Sequence, residues 1–552
     1  MKKLISLFAF ISLVSFANAQ TTDWLWAKNA GGTISSDWSN AVAIDASGNV
    51  YIAGYFTSPT IIFGTITLTD YAVGDVSNIF LAKYDDNGNV LWAKSAGRAG
   101  YDVANSVAVD ASGNVYLAGG FTSDTIIFGT TSLVNYNPGN YDIFIAKYNT
   151  SGDVIWAKSA GAIEDEKANS VAVDANGNAY VTGFFDSPSI AFGTITLTNA
   201  GNDDIFLAKF DANGNVLWAK RAGGTYQDDA ISVAVDVSGN AYIAGYFNGY
   251  CNNDTLIFGQ DTLKDLNNED VFLAKFDANG NALWGKSALG FEAYVTLDTS
   301  GNIYLTGRFG DSNTIFGADT LINKGLYNIY FAKYDANGNA LWAKSTGGTT
   351  DDGALSVTTN SSGNIYITGY FDSPSITFGS TILTNADTSG NTPDIFLAKY
   401  DDTGNVLWAE RTGGLNHDVA NSAALDASGN IYLTGYFGSP TITFGTTTLT
   451  NTTNSDVFYD IFLAKSSSFT GIHELRNSFN YFVYPNPSTN NITIESPQDA
   501  VIEITNIQGQ LVKTFTTTGN KTNIDVSALP SGVYVVEVKT AKGVAVSKFI
   551  KE

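Results

Sequence analysis

Few residues in this chain have the types and spacing that chemistry requires. Cys251 is the one cysteine, and His417 and His473 are the only histidines, in 552 residues. A zinc site needs several such ligands at short spacing, and a nucleophile needs a base within reach. Neither pattern occurs, nor does a Gly-x-Ser-x-Gly elbow or a phosphate-binding loop. Cys251 lies in the polar insertion Tyr250-Cys251-Asn252-Asn253-Asp254 and reads as incidental. Asp211-Ala212-Asn213-Gly214-Asn215 resembles the front half of a calcium loop but lacks the flanking helices and the twelfth-position glutamate. Asp and Asn also favour tight turns, because their side chains bond their own backbone. Weak calcium binding at acidic loops stays open, and no other cofactor is expected. Glycosidase chemistry needs two acids about 5–10 Å apart in a cleft, and the sequence singles out no such pair. Catalytic residues: none are assigned. Trp24 and Trp38 offer planes for stacking sugars.

The formal charge is −24. Between Gln20 and Phe469 stand 46 acids against 20 bases. The last 74 residues carry six of each, so the excess acid sits on the earlier part. Such a surface repels phosphate backbones and anionic membranes, which argues against nucleic acid. Cations, or basic or neutral surfaces such as glycans, fit better; general solubility outside the cell is the plainer explanation.

The elements come from a repeat. Gly-Asn-x-Tyr recurs with its tyrosines at 51, 116, 180, 242, 304, 366 and 432, always 62 to 66 residues apart. One unit holds four strands: Ser106–Asp110, Val115–Phe121, Asp142–Tyr148 and Val154–Lys158. The turns at Ala111–Asn114 and Asn149–Asp153 have hairpin form, so the strands form an antiparallel meander. Ile143-Phe144-Ile145-Ala146 is apolar on both faces, so the sheet must be covered on both sides. No window carries a helical apolar stripe, so neighbouring repeats must supply the cover. Four-stranded sheets packed face to face around an axis form a β-propeller. An extra hairpin centred on Phe-Gly, as at Phe63-Gly64, falls between the second and third strands. The variable stretches beside it, such as Asp265–Glu269 and Asn451–Asp456, and the channel rim are the places for specific binding, unless their variation is only imperfect duplication.

Six repeats end in a fourth strand of the form Trp-Ala-Lys, with Trp284-Gly285-Lys286 and Trp408-Ala409-Glu410 as variants. The seventh stops at Asp460-Ile461-Phe462-Leu463-Ala464-Lys465. Its missing strand matches the orphan Trp24-Leu25-Trp26-Ala27-Lys28 at the start. We therefore expect an all-β fold, a seven-bladed β-propeller over 20–465, with the N-terminal strand closing the last blade through Trp24, Trp26, Lys28, Phe462 and Lys465. Seven of the nine tryptophans then become blade core. Thirteen of the 20 bases fill two repeated strand positions, which implies cross-strand pairing with the aspartates that end the first strands. The form Ala172-Val173-Asp174, Gly177-Asn178-Ala179-Tyr180 and Asp204-Ile205-Phe206-Leu207-Ala208-Lys209 resembles bacterial β-propeller repeats of the SBBP type and, more loosely, the NHL type. That resemblance implies binding or scaffolding more than catalysis.

Met1-Lys2-Lys3, the apolar run Leu4–Phe16 and Ala17-Asn18-Ala19 have the form of a secretory signal peptide over 1–19, with cleavage between Ala19 and Gln20. Export then runs through the Sec translocon. A polar linker is expected over 466–481 and a small immunoglobulin-like β-sandwich over 482–552. Tyr484-Pro485-Asn486-Pro487, Leu529-Pro530-Ser531-Gly532-Val533-Tyr534 and the final Lys542–Ile550 element with Lys548 closely resemble the C-terminal sorting domain of the type IX (Por) secretion system of Bacteroidetes. The resemblance implies passage to the outer surface, removal of the domain by the system's sortase, and release or attachment to surface lipopolysaccharide. The expectation is a secreted or cell-surface binding or structural protein with a glycan or protein ligand. The alternative is an extracellular carbohydrate-active enzyme on a propeller scaffold.

Overall fold

The computed structural model describes residues 23–70, 76–248, 255–264, 270–310, 313–453, 457–467, 482–495, 500–506, 510–517, 519–540 and 543–552. The signal segment with its expected Ala19–Gln20 cleavage, the Cys251 insertion, the Asp265–Glu269 loop, residues 454–456 and 468–481 with His473 lie outside the described residues. Among those described there are strands and turns and no helix. The chain divides into two units, Met1–Ser468 and Phe469–Glu552.

The first unit contains seven four-stranded antiparallel sheets. In the second of them, Asp102–Val109, Val115–Phe121, Asp142–Tyr148 and Val154–Ala160 pair in that order. The hairpins form because aspartate supplies its own turn. Asp110 Oδ1 accepts the Ser112 and Asn114 N–H groups, both at 2.9 Å, while Gly113 takes a φ of +79° that a side chain resists. The seventh sheet is assembled from both ends of the unit, in the order Trp24–Ala30, Asp460–Ser466, Ile431–Phe437, Asp418–Leu425. Trp24 lies opposite Ser466, Trp26 opposite Lys465 and Lys28 opposite Leu463, and Phe462 faces Asn29. Strand structure therefore extends through Ser466, the first residue of the expected linker.

Third strands such as Asn78–Tyr84 are buried along their whole length. Their cover is the next sheet. Tyr51, Ala53, Ile79 and Leu81 of the first sheet share a core with Leu117, Phe121 and Phe144 of the second. Ala30, Tyr432, Ile461 and Leu463 of the seventh share one with Val50, Ile52 and Phe80 of the first. The same pair of sheets is tied by Asn421 Nδ2 donating to the Ser39 carbonyl at 3.0 Å and Val42 N–H donating to Ser422 Oγ at 3.2 Å. The Phe-Gly hairpins seal the outer edge. In Thr60–Phe63 paired with Ile66–Thr69, Ile61, Phe63 and Leu68 turn inward, and the Phe63 ring sits 5.1 Å from Phe80. Gly64 makes the tight turn at a φ of +60°.

The repeated tryptophans and lysines act between sheets as well as inside one. Lys465 Nζ and Trp26 Nε1 of the seventh sheet both donate to the Asp86 carbonyl of the first, at 3.4 and 3.0 Å. Lys83 and Trp92 grip the Thr150 carbonyl, and Lys147 and Trp156 the Ala212 carbonyl. All seven third-strand lysines also lie over the Gly-Asn-x-Tyr tyrosine, 4.5 to 5.3 Å from its ring. The expected pairing with first-strand aspartates is present as Lys83–Asp45, Lys147–Asp110, Lys209–Asp174 and Lys465–Asp426 at 3.5 to 3.9 Å.

One variant of the strand motif has a local cause. Trp24 stands where other fourth strands begin with valine or alanine. Its ring packs on Phe444 at 4.8 Å, and its Nε1 donates to Glu410 Oε1 at 2.9 Å. Glu410 is the residue that replaces the motif lysine. Trp24 is thus occupied as a joint between the sixth and seventh sheets, not presented for sugar stacking.

In the second unit, Phe482–Tyr484, Asn491–Glu495 and Lys521–Asp525 form one sheet, and Val501–Asn506, Leu511–Thr516, Gly532–Thr540 and Gly543–Lys551 the other. Ile492, Ile502, Ile524, Val536 and Phe549 fill the core between them, with Leu529 packed against it. The motif residues are structural. Asn486, between Pro485 and Pro487, donates to the Lys548 carbonyl at 3.0 Å and accepts the Ile550 N–H at 2.9 Å. Tyr484 OH donates to Glu495, and Tyr534 OH donates to the Pro530 carbonyl. Gly532 opens a strand, and the Lys548 side chain is exposed.

Replacing Trp24 by valine removes a charge-assisted hydrogen bond and an aromatic contact. We expect a loss of about 2–4 kcal/mol in denaturant unfolding of the first unit. A stability equal to the parent's would contradict this account of the joint.

Candidate functional site

The two ends of the first unit differ in kind. At one end lie the Asp-x-x-Gly-Asn turns, alike from repeat to repeat. At the other lie the connections from second to third strand and from each sheet to the next, where sequence varies. Chemistry able to tell ligands apart therefore belongs at the variable end.

Buried acids frame that end. Asp37 Oδ2 accepts the Gly32 N–H at 2.8 Å and the Ser58 hydroxyl at 3.0 Å. Asp352 and Asp418 repeat the pattern with Gly348 and Ser373, and with Gly414 and Ser439. Each carboxylate thus ties the incoming loop to the end of the second strand, which orders the loop without a disulfide. Two positions beside this frame vary: the residue after the acid (Trp38, Val103, Lys167, Asp229, Gly353, Val419) and the residue before the phenylalanine that closes the second strand (Tyr55, Gly120, Phe184, Tyr246, Arg308, Tyr370, Tyr436). Their side chains gather into three groups.

The first group is aromatic. Trp38 stacks on Tyr55 at 4.7 Å with the planes 23° apart, and Tyr459 and Tyr436 approach it edge-on at 5.8 and 6.5 Å. His417 lies 6.3 Å from Tyr459. All five are half-buried. The second group is charged. Lys167 Nζ sits 3.8 Å over the Tyr141 ring, and Asn169 Nδ2 donates to Asp229 Oδ1 at 2.7 Å. Gln227 donates to Asp203 at 3.2 Å. The third group surrounds Arg308. Its Nη1 bonds Asp351 at 2.8 Å and the Tyr370 hydroxyl at 2.8 Å, and its Nη2 lies 3.4 Å from Glu292. Phe291 and Tyr327 flank its guanidinium, each 4.8 Å away. Glu292 has φ 59°, the one non-glycine residue with positive φ among those described. That conformation costs on the order of 1–3 kcal/mol, and the Tyr330 hydroxyl bound to the Glu292 carbonyl at 2.9 Å helps hold it. Here the fourth strand of one sheet ends at Leu289 and the next sheet begins at Phe291, so the connecting loop is a single glycine.

Sequence reasoning placed specificity at the loops and rim and named Trp38, but it missed the second-strand position. The signal was available: one variable site inside an otherwise repeated strand. The Asp211 carboxylate is used by its own turn, accepting the Asn213 and Asn215 N–H groups at 2.9 and 2.8 Å. Among the described residues no three His, Cys, Asp or Glu side chains converge as a metal cage would require.

Electrostatics at this end are set by burial. The Asp229 carboxyl is pushed up to about 7, first by burial and then by Asp203, against Lys167 and Asn169. Asp203 rises to about 6 through burial and Asp186. Asp37, Glu166 and Asp418 reach about 7, and Asp102 and Asp352 about 6, again chiefly by burial. An acid raised by folding favours the folded state while protonated. Its contribution is complete below about pH 4 and is lost as pH rises through the folded value. Hydrogen bonds hold the turn carboxylates Asp45, Asp110 and Asp174 low, and their contribution is lost only as pH falls below the ordinary carboxylate range. His417, lowered by burial, also opposes the main trend. The thermal midpoint is therefore expected to fall between about pH 4.5 and pH 7.5, and Asp229→Asn to flatten the fall and raise the midpoint at about pH 8. A midpoint rising with pH in both proteins would overturn this assignment.

Relatives lie at low identity. The chain is 27% identical over 533 residues to "Uncharacterized WD repeat-containing protein L264" of Acanthamoeba polyphaga mimivirus, covering 81% of this chain and 38% of that protein. It is 27% identical over 226 residues to "Regulatory protein FlaEY" of Caulobacter vibrioides, covering 40% and 23%. The chain thus spans well under half the length of either relative. Among solved structures, the WD40 β-propeller domain of Doa1 aligns at 11% identity and TM-score 0.38, over 81% of this chain and 97% of that one. PorZ, a surface component of the type-IX secretion system of Porphyromonas gingivalis, aligns at 11% identity and TM-score 0.18, over 95% and 100%. Residues 482–552 match the secretion system C-terminal sorting domain, and the chain is accordingly one that the type IX system passes to the cell surface or the extracellular space.

Proposed function

We propose that the first unit is a closed seven-bladed β-propeller of the SBBP type and that its variable end binds a glycan at the outer surface. Closure is supported by the bonds and the core that the seventh and first sheets share. Deleting residues 20–28 should then abolish cooperative unfolding of the first unit, whereas a change as small as removing a frayed tail would sink the ring. The glycan reading is carried by one observation, the Trp38–Tyr55 stack among Tyr436 and Tyr459. It offers apolar planes to sugar rings, while the acidic surroundings suit neutral or cationic surfaces and repel polyanions. The second reading, an extracellular carbohydrate-active enzyme, is favoured by Asp229 and Asp203, two neighbouring carboxyls with raised pKa values.

A glycan array on the mature protein, run beside hydrolysis assays, separates the two. Binding without turnover, weakened at least tenfold by Trp38→Ala, is the expected result. Turnover abolished by Asp229→Asn would favour the enzyme. Binding unchanged in Trp38→Ala would remove the aromatic site from the account.

For the second unit we propose that the sortase of the type IX system removes it and that the propeller is then released or linked to surface lipopolysaccharide. Deleting 482–552 should leave the propeller in the periplasm. Its appearance on the outer surface would contradict the assigned route.

A further inference from the structure

The lysine and tryptophan clamp is repeated at successive sheet boundaries. Lys465, Lys83, Lys147, Lys209, Lys275 and Lys333 each donate to the apex carbonyl of the turn between third and fourth strands in the next sheet, at 3.2 to 3.4 Å. At five of these six boundaries the fourth-strand tryptophan donates to the same oxygen, at 3.0 to 3.3 Å. Two of the turns add a carboxylate. Asp86 Oδ1 accepts from Lys465 and from Tyr432 OH, and Asp402 Oδ1 from Lys333 and from Tyr304 OH. The tyrosine, lysine and tryptophan of one boundary thus receive either a peptide oxygen or a carboxylate.

The boundary between the sixth and seventh sheets differs. Tyr366, Lys399 and Trp408 stand opposite one another across three strands, and all are buried, at 2%, 5% and 7% exposure. Lys399 Nζ is 5.3 Å from the Tyr366 ring, and the Tyr366 and Trp408 rings are 6.2 Å apart. The facing turn is replaced by two separate stems of chain. Ser467 N–H donates to the Asp23 carbonyl at 2.9 Å, as Asp85 N–H donates to the Asn89 carbonyl at 2.8 Å in the first sheet. The aspartate that pairs with this lysine in other repeats is Asn360, whose Oδ1 is taken by the Ser362 and Asn364 N–H groups. Glu410 on the neighbouring strand receives Trp24. Among the described residues, Lys399 and Trp408 make no hydrogen bond or ion pair, and the Tyr366 hydroxyl is buried without a partner. Burial lowers the Lys399 pKa, with no carboxylate to oppose it. A buried ammonium and a buried hydroxyl without acceptors are costly, and a carboxylate relieves both.

We propose that Tyr366, Lys399 and Trp408 form a carboxylate-binding site at this boundary, taking an aspartate or glutamate side chain or a chain terminus from a partner. Acetate is the probe. The chain from Gln20 through Glu552 is melted in sodium acetate and in sodium chloride of equal ionic strength, as the parent protein, Lys399→Met and Tyr366→Phe. A saturable rise of several degrees in the midpoint is expected in acetate for the parent, absent in Lys399→Met and at several-fold higher acetate in Tyr366→Phe. Lys465→Met, at a boundary whose clamp is engaged, should lose stability yet keep the acetate response if it folds. A response absent in the parent, or equal in all variants, would overturn the proposal. A chain begun at Asp23 distinguishes the remaining source. If acetate stabilises neither chain, and Lys399→Met lowers the midpoint only in the longer one, the donors hold this chain's own backbone and the proposal fails.

Discussion

A single backbone oxygen carries much of this architecture. The apex carbonyl of five turns between third and fourth strands accepts from both a lysine and a tryptophan of the preceding sheet, and that of a sixth, Ala336, from the lysine. Neither side chain can serve its own sheet in that way. The geometry requires the next sheet at a fixed distance and height. It also explains why the turn contains glycine: Gly88 lies against the Trp26 ring, where a Cβ would come within 3.0 Å of the indole. Tight turn, flat indole and long ammonium are one device, repeated. Burial of apolar strands drives the sheets together without direction; the clamp supplies the register.

The device also accounts for the exceptions. Where the unit begins and ends, the turn between third and fourth strands is split between Asp23 and Ser467, and the motif changes on both sides of the split. Valine becomes Trp24, lysine becomes Glu410 and aspartate becomes Asn360. The first two compensate each other through a hydrogen bond. The third leaves Lys399 without its usual acid, which is why, among the described residues, this boundary combines burial with unspent donors.

The opposite end of the sheets follows different rules. Buried carboxylates staple six of the loops that lead into a sheet, the exception being the single-glycine connection at Gly290, and that lets neighbouring positions vary without loss of the frame. Aromatic rings collect at the boundary of the seventh and first sheets, and charges at the boundaries of the third through sixth. The carboxyls are costly to bury and titrate near neutrality, so this end responds to pH in that range, whereas the turn carboxylates, held low by hydrogen bonds, respond only at acid pH. The sorting domain has its own core and a balanced charge, as suits a unit recognised apart from its cargo.

Much of this was legible in the chain because repetition is a one-dimensional signal. The Gly-Asn-x-Tyr spacing, the Trp-Ala-Lys strand and the Phe-Gly pair give strand number, turn positions and the kinship of Trp24–Lys28 with the fourth strands. The Tyr484–Pro487 and Leu529–Tyr534 motifs give the route of export. What the sequence could not disclose is which sheet a side chain serves. Trp26 and Lys465 look like parts of one blade, since they sit opposite each other on neighbouring strands. Only packing directs both to Asp86, some 60 and 380 residues away in the chain. The Trp38–Tyr55 stack, the Arg308 cluster and the Tyr366–Lys399–Trp408 triplet likewise exist only in three dimensions. Hydrogen bonds and charges depend on distance and burial, and in a repeat array both are set by the neighbouring sheet rather than by the neighbouring residue.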